Sequence, residues 1–141
     1  MVEIAVANFQ RRVRIDTKAL KMLAAKTVGN RKGRLSIAIV GRKRMRTLNR
    51  QFRGHDALTD VLSFDLGEDS KRIEGEVVVC SDAAISEARR LGTDPAGEVA
   101  LYVVHGLLHL LGMEDATAKG SQRMHRRALR LVHEAGWRDV E

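Results

Sequence analysis

The sequence predicts an α+β fold: a single domain built on a four-stranded mostly mixed sheet with about five helices, the candidate site lying on a central helix. Three observations predict it. Short period-2 segments and longer 3.6-period segments follow one another in irregular order, which argues against a regular β-α-β repeat. Cap and stop residues bracket the helical segments. One apolar run, Leu101 to Leu111, is long enough for a buried helix and carries two histidines.

Val2–Phe9 alternates Val2, Ile4 and Val6 with Glu3, Ala5 and Ala7 and reads as a strand. Asp16 is placed to cap a helix running to about Val28, with Leu20, Leu23, Ala24 and Val28 inward. Gly29-Asn30 and Gly33 mark a turn before a second strand, Leu35–Val40. Arg42–Phe52 reads as a basic helix with Met45, Leu48 and Phe52 inward and Arg42, Lys43, Arg44, Arg46 and Arg50 outward. Arg53-Gly54-His55-Asp56 is expected as a loop, and Thr59–Phe64 as a third strand. After a polar turn at Gly67–Lys71, Ile73–Cys80 is expected to pair with it as a hairpin. Ser81 or Asp82 is expected to cap a helix ending at Leu91-Gly92. Thr93-Asp94-Pro95 opens the histidine-bearing helix, proline suiting its first turn. A last amphipathic helix spans about Lys119–Ala135, with Met124, Ala128, Leu131 and Val132 inward and Gly136 as its stop.

The chain has 141 residues, enough for one domain with a real core. Aromatic residues make up only 4%, so a platform of several rings for stacking bases is not expected. A net charge of +7 points to an anionic partner, with RNA, DNA or an acidic surface as candidates. The lone Cys80 excludes an internal disulfide and a thiolate zinc site, and its apolar strand predicts a buried, inert thiol. No run of about 18 apolar residues occurs, and the N-terminus lacks the layout of a signal peptide, so a cytoplasmic chain is expected.

The candidate chemistry sits at His105-Gly106-Leu107-Leu108-His109-Leu110-Leu111-Gly112-Met113-Glu114-Asp115. On a helix, positions i and i+4 share a face roughly 6 Å apart, so two imidazoles can grip one ion from one side. Gly112 suits the helix end, and Asp115 is placed to return a carboxylate oxygen. Two nitrogens and one oxygen leave a coordination position open, the catalytic arrangement. Two half-buried core histidines are the competing explanation. Gly106 stands where the HExxH metalloproteases carry their glutamate, which counts against a protease.

These residues carry a family likeness. Leu48-Asn49, Phe52-Arg53-Gly54, Thr59-Asp60-Val61-Leu62-Ser63-Phe64, Gly75-Glu76-Val77-Val78-Val79 and His105-Gly106-x-Leu108-His109-Leu110-x-Gly112 occur in the order and spacing of the YbeY family. The chain therefore resembles the single-strand-specific, metal-dependent endoribonucleases of bacterial rRNA maturation, over roughly residues 45–130. The resemblance implies that His105 and His109 are metal ligands and that the family's third histidine falls on Asp115. The family metal is usually taken as zinc; with a carboxylate here, manganese or nickel are alternatives. His125, from the last helix, is a lower-ranked substitute ligand. Arg53 matches the family's functional arginine, with Phe52 in place of its tyrosine. Asp60 and Ser63 match its strand motif and read first as structural residues of the cleft wall, His55 reads as a loop residue without a role, Asp65 replaces a proline, and Glu76 replaces an aspartate.

The implied mechanism uses a metal on His105, His109 and Asp115 to activate water against a phosphorus of single-stranded RNA. Arg53 would stabilise the extra phosphoryl charge. Glu114 is the candidate general base, or else a residue orienting a ligand histidine. Partners implied are RNA, above all ribosomal RNA, and small-subunit ribosomal proteins. Two readings from other classes stay open: a ribosome-associated RNA-binding factor with weak or lost catalysis, and a small metallohydrolase of another substrate class.

Overall fold

The computed structural model describes residues 1–54, 59–67, 71–113 and 116–141. Among the described residues four strands and five helices follow in the order β1 (Val2–Asn8), α1 (Thr17–Val28), β2 (Lys32–Val40), α2 (Arg42–Arg53), β3 (Val61–Asp65), β4 (Arg72–Cys80), α3 (Ser81–Leu91), α4 (Pro95–Leu110) and α5 (Ala118–Glu134). The sheet order is β1-β2-β4-β3. β1 and β4 both run parallel to β2, and β3 is the antiparallel edge strand, pairing with β4 as the sequence predicts.

Period-2 alternation assigns the two faces. Ile4, Leu35, Ile37, Ile39, Val77 and Val79 join one core with α1, α3, α4 and α5. Val40, Leu62, Val78 and Cys80 face the other way, where α2 covers them with Met45. Each such fully buried aliphatic side chain contributes about 2 kcal/mol. Burial also pushes the Cys80 thiol up from its ordinary value, in keeping with an inert core cysteine. α4 lies at the centre of the thick layer, touching α1, α3, α5, β3 and β4. Its midsection from Val99 to Val104 is wholly buried, so it is apolar all round rather than amphipathic.

Four expectations change. β2 begins at Lys32 rather than Leu35, because Gly33 joins the ladder at φ +137°, where a Cβ would collide with the Ile73 carbonyl. Arg53 is the last helical residue of α2 rather than a loop residue; Gly54, at φ +70°, closes that helix. Phe52 is 63% exposed, not inward. At the last turn α2 overhangs the edge strand, where the Phe52 ring meets Phe64 edge-on at 5.2 Å. The cap of α3 is not Ser81 or Asp82: the cap position is Cys80, without a side-chain bond. Ser81 Oγ instead donates to the Val40 carbonyl, and Asp82 accepts from the Arg42 N–H and pairs with Arg12. Asp82 thus serves the start of α2, where Gly41 has no side chain to do so.

Candidate active site

α4 is positioned from both ends. Asp94 accepts from the Ala96 N–H at 3.1 Å and Pro95 occupies the first turn, as its sequence predicts. At the other end Gly112, at φ +91°, lets its own N–H reach the His109 carbonyl and that of Met113 reach Leu108, each at 3.0 Å. The end of the helix is therefore fixed where the second histidine sits.

The approach of α4 to the sheet depends on Gly106. A Cβ there would fall 2.6 Å from Val77 Cγ1 and 2.9 Å from Ser63 Oγ. Ser63 pairs with Val77 across the hairpin, so both point toward α4 while Leu62 faces the other layer. Ser63 Oγ donates to the Gly106 carbonyl at 3.2 Å, tying β3 to the helix one residue after His105.

His105 and His109 line one cleft of about 380 Å³, together with Arg53, Asp60, Ser63 and Gly106. His105 is half-buried and His109 exposed on the wall. Arg53 enters from the C-terminus of α2. Asp60 stands at the rim, its carboxylate accepting from the Val61 N–H at 2.8 Å and its carbonyl from the Cys80 N–H at 2.8 Å. The opposite wall comes from α5: Ser121, Met124 and His125. The His125 ring lies 5.6 Å from that of His105, with the planes at 49°.

That spacing bears on a cation. Two imidazoles bound through nitrogen to one zinc-like ion at about 2 Å place their ring centres about 5 Å apart. The His105 and His125 rings are close to that spacing, which makes them a pair of imidazoles and not a set of three donors. No three His, Cys, Asp or Glu side chains form a complete metal cluster among the described residues. Glu114, Asp115 and His55, to which the sequence reading assigned a base, a ligand and a loop position, lie outside the described residues.

Ser121 and Met124 were not singled out as cleft residues from the sequence, and His125 was ranked low. A signal was present in the phase of α5. Met124, Ala128 and Val132 form its buried stripe, and Ser121 and His125 sit one turn apart on one flank of that stripe. A second concavity of about 610 Å³ lies on the other face of the sheet, beside α2, but its lining is mainly apolar and includes no histidine.

Comparison with known proteins points the same way. The family described as Endoribonuclease YbeY matches residues 4–136. A protein named endoribonuclease YbeY from Anaeromyxobacter sp. (strain Fw109-5) is 41% identical over 87% of this chain and 64% of its own length. One of the same name from Carboxydothermus hydrogenoformans is 33% identical over 93% of this chain and 96% of its own. The chain spans 64% of the length of the two Anaeromyxobacter relatives it matches. The solution structure of TM1509 from Thermotoga maritima resembles it with a TM-score of 0.63 and 26% identity, covering 100% of this chain and 97% of that one.

Proposed function

This chain belongs to the YbeY family, and from that premise we propose that it is a metal-dependent endoribonuclease cutting single-stranded RNA, in rRNA processing and ribosome maturation. The observation that carries the reading is that two imidazoles one helical turn apart share a cleft with a guanidinium. His105 and His109, with Asp115 as the third donor, would hold one divalent cation, zinc first and manganese or nickel as alternatives. When bound, such an ion supplies Lewis acidity toward a phosphoryl oxygen and acidifies water.

The chain's own residues supply the rest. The fork of Arg53 matches two non-bridging phosphate oxygens, so it orients the scissile phosphate and stabilises charge that grows there. Glu114, next to the third donor, accepts the proton of the attacking water. Ser63 holds the wall by its bond to Gly106, which keeps the imidazole spacing fixed. The net charge of +7 draws in an anionic strand. No described helix is long and apolar enough to cross a membrane, and we place the reaction in the cytoplasm, beside small-subunit ribosomal proteins.

The test is cleavage of a labelled single strand against the matching duplex, with metal content measured on the same sample. Wild type is expected to cut the single strand and to stop when the metal is chelated. His109→Ala is expected to lose the stoichiometric ion and about 10³-fold in rate. Metal-loaded wild type that binds the strand without cutting it would replace the nuclease with a binding factor. Wild type that neither binds nor cuts RNA overturns both readings.

A further inference from the structure

We propose that a groove on the far flank of α5 holds the phosphate backbone of the RNA strand beyond the cleavage site; this rests on the endoribonuclease reading. The groove measures about 550 Å³. Its walls carry Arg123, Arg126, Arg127 and Arg130 from α5, and Arg31 from the turn between α1 and β2. Leu111, just past the end of α4, contributes to its floor.

Three features set these arginines apart from a solvated helix face. First, α5 carries Lys119 and four arginines against the single acidic residue Glu134, and Glu134 pairs with Lys26 instead. Second, none of the five in the groove pairs with a carboxylate among the described residues, unlike Arg12 with Asp82, Arg34 with Glu3, Arg72 with Glu74 and Arg90 with Glu87. Third, they converge in a concavity rather than fan outward. Arg123, Arg127 and Arg130 recur at i, i+4 and i+7, one stripe of the helix. Arg31 is pinned at the edge by its bond from Nη1 to the Val28 carbonyl at 2.9 Å.

Like charges gathered at one place repel, and the fold gains nothing internal from them. A chain of phosphates supplies what they lack: repeated, forked acceptors matched to guanidinium geometry. The position fits the same strand that enters the cleft. α5 presents Ser121 and His125 to the cleft from one flank and the arginines to the groove from the other. The two sites are separated by about the width of a helix, roughly 10 Å. Arg53 lines the same cleft as Ser121 and His125 of α5, so a strand held in the groove would continue toward the guanidinium.

The experiment measures binding of a fluorescent, 2′-O-methylated single strand as a function of salt. It compares the full chain with the Arg123→Gln/Arg127→Gln/Arg130→Gln triple variant. A control triple, Arg11→Gln/Arg14→Gln/Arg138→Gln, removes the same charge from other exposed positions. Circular dichroism confirms that both fold. The groove variant is expected to bind about tenfold more weakly, with its log–log salt slope reduced by about 2, as loss of three phosphate contacts requires. The control is expected to change the slope by less than half as much. Equal losses in both triples would assign the effect to net charge, and no loss in the groove variant would show that the strand passes elsewhere; either overturns the groove while leaving the nuclease reading intact. Failure of wild type itself to bind any single strand would instead overturn the functional reading beneath it.

Discussion

The two halves of α4 do different work with one continuous helix. The N-terminal half is sealed. A Cβ on Gly97 would lie 2.2 Å from Val140 Cγ2, the Asp94 N–H donates to the Asp139 carbonyl, and Glu98 is only 1% exposed. The C-terminal half opens, placing His105 and His109 on a cleft wall while Leu107 and Leu108 stay in the core. One helix can thus carry both stability and chemistry because burial is assigned by turn and not by element. Side chains at the sealed end should govern stability, and those at the open end should govern activity.

Gly106 is where this division should break most severely. Gly106→Val forces α4 away from Val77 and Ser63, and is expected to destabilise by about 3 kcal/mol while also spoiling the cleft. Denaturant unfolding and RNA cleavage should fall together. Full activity in a destabilised variant would mean that the imidazole spacing does not depend on this seat.

A smaller effect sharpens the comparison at the other end. Burial pushes the Glu98 carboxyl from about 4.5 up to about 7, and its Oε1 has no hydrogen-bond partner among the described residues. The folded state holds this proton more tightly than the unfolded chain. Its unfavourable contribution is absent below pH 4.5, grows as the pH rises toward about 7, and is complete above it. Glu98→Gln is therefore expected to stabilise at pH 8 by about 2 kcal/mol and to flatten stability across that window. Melting curves at pH 5 and pH 8 check this, with cleavage unchanged. The smallest effect is the loss of the cap: Asp94→Ala should cost about 1 kcal/mol and leave metal binding untouched.

How much could be read in advance follows the same line. The Asp16 cap, the Pro95 start of α4, the β3–β4 pairing and the buried stripe of α5 were legible because cap chemistry and periodicity are local. The cap at α3 was not, since Asp82 had a better use at the start of α2, forty residues away in the chain. Phe52 looked inward by spacing, but spacing cannot say where a helix outruns the sheet beneath it. In the site, the i, i+4 histidines were legible from spacing, and Arg53 only through the family resemblance. The facing wall was not, because Ser121 and His125 reach the cleft only through the packing of α5 on α4.

By itself the sequence determined the elements, the central helix and its pair of imidazoles, since periods of two and 3.6 and the chemistry of cap residues act over a few residues. Only the tertiary structure decided which side chains meet. Glycine at positions 106 and 33 shows why: its small size is visible in the sequence, but the neighbour that requires it comes from a distant strand, and contact between distant segments is a property of packing.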